Sequence, residues 1–212
     1  MSRLGFDRFV QEIGEVSFDL AVTAPQAKSD VLVPLQVFRS SDELQPLADL
    51  LWSRLDGVVG PQATSALIEA LWELGANVTE HSGSSGIVGA VVQNANRKEA
   101  HVDFAIGDAG IGIRQSFLNG VGGHHPNSDH EAITLALKYL VSSTGDPGRG
   151  QGIAATVEQA TGLRGKVLVR SGDARRSIAP EGQEKGPLRL HENPASVPRL
   201  TGTVVAVTVP CR

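Results

Sequence analysis

Apolar and polar positions alternate along residues 15–22, Glu15-Val16-Ser17-Phe18-Asp19-Leu20-Ala21-Val22, as they do in a strand with one face buried. Residues 31–38 are apolar and β-branched and predict a second strand. The period then changes. Leu44, Leu47, Leu50, Leu51 and Leu55 recur at helical spacing behind Ser40-Ser41-Asp42-Glu43, which offers N-cap chemistry, and Gly57 and Gly60 mark the end. Pro61 opens the next helix, where its missing N–H costs nothing, and the apolar stripe Ala63, Leu67, Ala70, Leu71, Leu74, Val78 carries it to about His81. Strands are predicted over 87–93 and 100–106, joined by the turn Asn94-Ala95-Asn96-Arg97-Lys98. Helices follow over 130–141 and Gly150 to Thr161, and strands over 167–169 and 203–209. Residues 119–130 lack either period. So do residues 172–199, whose Pro, Gly and clustered charge predict a long mobile connection. The sum is an α+β fold with helices packed on one face of a sheet.

Composition narrows the class. The 212 residues suit one domain, and 41% hydrophobic content supplies a core. A formal charge of −4 argues against a nucleic-acid surface over the whole domain and leaves room for a local basic patch. Cys211 is the single cysteine, so no internal disulfide forms and a reduced compartment is expected. No apolar run approaches the ~18 residues of a membrane helix. Met1 to Asp7 lacks the apolar core of a secretory signal. The expectation is a cytoplasmic protein with neither membrane nor nucleic-acid partner.

Three polar clusters carry candidate chemistry. Glu73 and Asn77 are four apart and share a helix face, with Glu69, Glu80 and His81 nearby. An amide oxygen is a hard ligand for Mg²⁺, and a carboxylate beside it can activate a water or hydroxyl for attack on a phosphate. The competing reading is the solvated face of an amphipathic helix. Asp108 follows an apolar strand and precedes Gly110 and Gly112. Such an acid can accept from the exocyclic amine of adenine, or it can simply open a tight turn. Gly148-Arg149-Gly150-Gln151-Gly152 leads into a helix, whose free N–H groups suit a phosphate and to which Arg149 would add a charge. A ligand-free hinge fits the same residues. No Gly-x-x-x-x-Gly-Lys-Ser/Thr loop is present, and no strand directly precedes Gly148, which disfavours a dinucleotide fingerprint.

In order along the chain, these pieces resemble the GHKL superfamily, which groups gyrase B, the heat-shock 90 chaperones, sensor histidine kinases and MutL. Glu73-Leu74-Gly75-Ala76-Asn77-Val78-Thr79-Glu80-His81 is similar to the N-box, with the closing His of the histidine kinases. Asp108 to Ile113 is similar to the G1 box. Gly148 to Ile153 is similar to the G2 box, with Gln151 where Leu is usual. Thr201-Gly202-Thr203 resembles the last motif. The resemblance covers about 40–212 and leaves 1–39 as an N-terminal extension with one or two strands. It implies a Bergerat fold: a two-layer α/β sandwich with a mixed, mostly antiparallel sheet. It implies ATP and Mg²⁺ as cofactors, Glu73 as catalytic base, Asn77 as metal ligand, and Asp108 with Thr203 on the base. It also implies a lid over about 113–147, in which His124 and His125 lie. No upstream helix offers a phospho-accepting His and no transducer domain is recognisable, so a stand-alone ATP-binding module is expected. Its activity would be ATP hydrolysis or phosphoryl transfer to a signalling protein partner. The alternatives are an anti-sigma-type serine kinase and a non-catalytic nucleotide-dependent module. Residues 1–39 leave a homodimer through a pairing strand open.

Overall fold

The computed structural model describes residues 31–94, 99–138, 152–181 and 189–212. The expected strand 15–22, residues 95–98 of the expected turn, and residues 139–151 lie outside these. The elements are β1 (Val31–Phe38), α1 (Leu44–Leu55), α2 (Pro61–Asn77), β2 (Gly86–Gln93) and β3 (His101–Asp108), then α3 (Gly112–Asn119), α4 (Asp129–Ala136), α5 (Gly152–Gly162), β4 (Lys166–Glu181) and β5 (Arg189–Pro210). The strands form one sheet in the order β1-β2-β3-β5-β4, and every neighbouring pair is antiparallel. The expected mixed character is absent among the described strands. One crossover helix makes neighbours parallel, whereas β1 and β2 are joined by two helices, α1 and α2, which return the chain in the opposite direction.

Alternation along each strand decides the layers. Val102, Phe104 and Ile106 of β3, Val205, Val207 and Val209 of β5, and Val167 and Val169 of β4 share one buried cluster with Leu67, Leu71 and Leu74 of α2. The result is the two-layer α/β sandwich. Each such aliphatic or aromatic side chain contributes roughly 1.5–3 kcal/mol when fully buried. The helix start at Ser40 works differently from expectation. No Ser side chain caps it, and the Glu43 carboxylate reaches back to accept the Arg39 N–H at 2.8 Å. β1 tolerates Pro34 because it is the edge strand among the described ones, and its register shifts between Val31 and Val33 and again between Val33 and Gln36, the stretch that holds the proline.

The largest departure from the sequence reading is in residues 172–199. The described ones, 172–181 and 189–199, form an arm in which β4 and β5 continue as a two-stranded ribbon, from Ala174↔Ser196 to Glu181↔Arg189, in place of a mobile connection. β3 pairs with β5 only over Thr203–Pro210. In the arm, Pro194 and Pro198 therefore face no third strand among the described ones and remove no ladder bond on that side.

The arm grips α4. Ser128 caps this helix by accepting the Glu131 N–H at 3.1 Å. The Asp129 carboxylate, 6% exposed, accepts the Asp173 N–H at 3.1 Å and faces Arg199 at 3.2 Å. Arg176 donates to Thr134 Oγ1 at 2.8 Å, and His130 Nε2 lies 3.1 Å from Ser196 Oγ. Arg199 is 70% exposed, so the ion pair itself is worth little. The bond from the exposed Asp173 backbone to the buried, charged Asp129 carboxylate decides the cost. Asp129→Ala should destabilise by about 1.5–3 kcal/mol, the usual size of a hydrogen bond to a charged group. Urea unfolding measures it, and hydrogen exchange should quicken first at 129–136.

Candidate functional site

Glu73 and Asn77 project from the edge of α2 that the core leaves free. Glu73 is exposed and Asn77 half-buried, while Leu71, Leu74 and Val78 beside them are buried. The first turn of α5 comes directly against this pair. A methyl group on Gly152 would lie 3.0 Å from Asn77 Nδ2 and 3.2 Å from Glu73 Oε2. Gln159 of α5 donates to Glu69 of α2, so Glu69 serves to hold the two helices together. Past Asn77 the helix widens into a π-type turn, Val78–Ser82, closed by Gly83 at φ +68°. The wider turn carries the Ser82 carbonyl over the segment after β3, where it accepts the Ile111 N–H at 3.0 Å. A side chain on Gly110 would overlap that carbonyl.

Asp108 ends β3 and sits in one ladder row with Gly86 and Thr203. Its Oδ1 accepts the Gly110 N–H at 2.7 Å. Burial pushes its carboxyl up to about 6, against the opposing pull of the Gly110 and Thr203 N–H groups. Gly202 approaches from β5 with φ +94°, and a side chain there would collide with the Asp108 carbonyl. Ser171, on the same ladder row from β4, fastens the corner. Its Oγ accepts the Ile113 N–H at 3.0 Å, donates to the Gly202 carbonyl at 3.1 Å, and stands 3.2 Å from Thr203 Oγ1.

The structure thus assembles Glu73, Asn77 and Gly152 at one place and Asp108, Gly110, Gly112 and Thr203 at another. The Ser82 carbonyl, bonded to Ile111, links the two. Gly148, Arg149 and Gly150 lie outside the described residues. His124, within the stretch expected as a lid, is half-buried and sets its ring edge-on to Phe117 at 6.0 Å. Ser82 and Ser171 were missed from sequence. For Ser171 a signal existed: Val167, Val169 and Ser171 share the inward parity of a strand, and a hydroxyl on a buried face needs a partner. Ser82 acts through its backbone, which leaves no mark in the sequence.

Among the described residues no group of three His, Cys, Asp or Glu side chains converges to hold a metal. The donors at the first place are one carboxylate and one amide oxygen. That set is too small for a closed protein cage, and it fits Mg²⁺, which takes few protein oxygens and completes its shell with water and phosphate. Among the described residues no helix is long and apolar enough to cross a membrane.

No protein-family model and no curated protein matches the chain. Among solved structures it is similar to the mycobacterial sensor histidine kinase MprB, at 17% identity over 84% of this chain and 99% of that one, with a TM-score of 0.42. A likeness that loose carries no weight for the chemistry, which has to stand on the side chains.

Proposed function

We propose that the protein binds Mg·ATP between α2, α5 and the β3–β5 corner, and hydrolyses it or passes its γ-phosphoryl group to a signalling partner. The observation that carries this reading is the placing of Glu73 and Asn77 against the glycine start of a helix. A carboxylate, an amide oxygen and the N–H groups of a helix start there suit nucleophile, metal and phosphate respectively.

Asp108, as carboxylate, accepts from the exocyclic amine of the base, and the Thr203 hydroxyl lies in the same row beside it. Asn77 holds the metal through its amide oxygen. Glu73 takes the proton of the attacking water or hydroxyl and keeps it away from the phosphates. The metal, when bound, would neutralise charge on the phosphate oxygens. Gly110 and Gly202, where side chains would strike the Ser82 and Asp108 carbonyls, keep the corner narrow, so a flat ring can lie close to backbone.

Isothermal calorimetry with Mg·ATP tests binding. Wild type should bind measurably at sub-millimolar nucleotide, and Asn77→Ala should lose most of the Mg²⁺-dependent part, at least tenfold in affinity. Glu73→Gln should bind ATP as wild type does while release of phosphate falls by 10²-fold or more, the usual size of a lost general base. Wild type that fails to bind at millimolar ATP ends the proposal. Unchanged turnover in Glu73→Gln would leave binding and remove the catalytic role, in favour of a nucleotide-ordered interaction module.

A further inference from the structure

The corner around Asp108 gives Ser171 a further role, which rests on the nucleotide reading and deepens it. Ser171 closes the regular part of the β4–β5 ladder opposite Thr203, and the next pair is Gly172 with Leu200. Thr201 and Gly202 therefore have no partner in the register, and Gly202, at φ +94°, brings its carbonyl to the Ser171 hydroxyl. Gly112, at φ +76°, lets the start of α3 come close as well: a methyl group there would lie 3.0 Å from Ser171 Oγ. Ser171 is 3% exposed, so its bonding is decided by these neighbours rather than by solvent.

A serine hydroxyl has one hydrogen and two lone pairs. The Gly202 carbonyl, 3.1 Å away, can only accept, so it takes the hydrogen. The Ile113 N–H, 3.0 Å away, can only donate, so it takes one lone pair. One lone pair remains, and the third neighbour, Thr203 Oγ1 at 3.2 Å, donates to it. The Thr203 hydroxyl hydrogen is thereby committed to Ser171, and Thr203 Oγ1 keeps only lone pairs for a ligand. Above about pH 6 the Asp108 carboxylate, directly opposite Thr203 in the ladder, also offers only lone pairs. Opposed ladder residues stand about 5 Å apart, a gap that one amine can bridge with its two diverging N–H groups. A carbonyl at the same place meets lone pairs from both sides.

We propose that Ser171 is a positioning residue for base selection: by holding the Thr203 hydroxyl hydrogen it leaves Asp108 and Thr203 as two acceptors that share the exocyclic amine of adenine and turn away the carbonyl of hypoxanthine. Asp108 supplies the larger part of that choice. Ser171 supplies the part that a freely turning Thr203 hydroxyl gives up, because such a hydroxyl donates to a carbonyl as readily as it accepts from an amine.

The test uses the full chain with Mg²⁺ and follows displacement of a ribose-labelled fluorescent ATP by ATP and by inosine triphosphate, which carries the carbonyl. Wild type should favour ATP by about 100-fold, since a buried polar site rejects an analogue that leaves its groups unpaired. Ser171→Ala should lower that ratio about tenfold, the size of one hydrogen bond regained by the carbonyl. In a Thr203→Val background the same change should leave the ratio where Thr203→Val alone sets it, since no hydroxyl is left to turn. Ser171→Cys, a weak donor, should fall between wild type and Ser171→Ala, so the series stays readable if the alanine variant folds poorly. Equal weakening of both nucleotides in Ser171→Ala makes Ser171 a fastener of the corner only, and a higher ratio puts Thr203 against a ring nitrogen. Either result overturns the proposal, as does an effect that persists without the Thr203 hydroxyl, or a preference for GTP over ATP. A separate arm needs no nucleotide: by NMR of the unliganded protein the Thr203 hydroxyl proton should exchange slowly, and Ser171→Ala should abolish that protection. Free exchange in wild type overturns the proposal too. Wild type that binds neither nucleotide ends the nucleotide reading as well, whereas ATP binding with an unchanged ratio in Ser171→Ala ends this proposal alone.

Discussion

Asp108→Asn should weaken adenine-nucleotide binding by about 100-fold while making the unliganded protein more stable. The affinity loss follows from replacing a charged acceptor by an amide whose NH₂ opposes the amine of the base, at about 3 kcal/mol. The stability gain follows from burial. The folded carboxyl titrates at about 6, above its ordinary value of 3.8, because burial penalises its charge more than the Gly110 and Thr203 N–H groups favour it. At pH 7.5 the folded protein therefore carries a desolvated charge that costs on the order of 2–3 kcal/mol. The Asn oxygen can still accept the Gly110 N–H, so most of that cost disappears. A gain of roughly 4–8 °C in Tm is expected for a chain of this size.

The same residue gives a pH dependence with opposite signs for two readouts. In wild type, stability from this group rises as pH falls from about 6 toward 4, since the folded state takes up a proton that the unfolded state has not yet bound. Nucleotide affinity falls over the same window, because a protonated carboxyl no longer accepts from the base. Asp108→Asn should flatten both curves. Calorimetry and thermal melts at pH 5 and 7.5 read them, and a variant that binds ATP normally removes Asp108 from the base site.

Gly202→Ala should be among the most damaging single-methyl changes in the chain. Its φ of +94° is strained for any side chain, at about 1–2 kcal/mol. The new methyl would also press on the Asp108 carbonyl, which is backbone of the central strand β3 and cannot swing aside. Overpacking adds about 1–3 kcal/mol, for a total of about 2–5 kcal/mol in urea unfolding. Nucleotide binding should fall with it, since Asp108 and Thr203 share this corner. Gly57→Ala is the control. It has a similar φ of +75° with nothing within 4 Å, so only the strain of about 1 kcal/mol remains. Equal costs at the two positions would show that contact at the corner is not what matters.

Local pattern carried much of this molecule. The stripe Leu67-Leu71-Leu74 identified α2 and left Glu73 and Asn77 together on its free edge. The apolar run into Asp108 located the end of β3. Both depend on periodicity over a few residues, which backbone geometry imposes directly. The reading failed where identity came from distant pairing. Residues 172–199 look like a linker because prolines and charges break local periodicity. The described ones are a ribbon because Ala174 meets Ser196 and Arg176 meets Pro194. Nothing in the local pattern marks Asp129, whose partners Asp173 and Arg199 lie 44 and 70 residues away.

The sequence by itself determined most of the elements and the α+β class, and it offered residue types that suit a metal, a phosphate and a base, because each follows from spacing along one helix or strand. Only the tertiary structure decided that the sheet is wholly antiparallel, that Gly152 stands against Glu73 and Asn77, and that Ser82 and Ser171 fasten the corner around Asp108. Those outcomes depend on strand order and on which carbonyls and side chains meet across long loops, and no local period encodes such meetings.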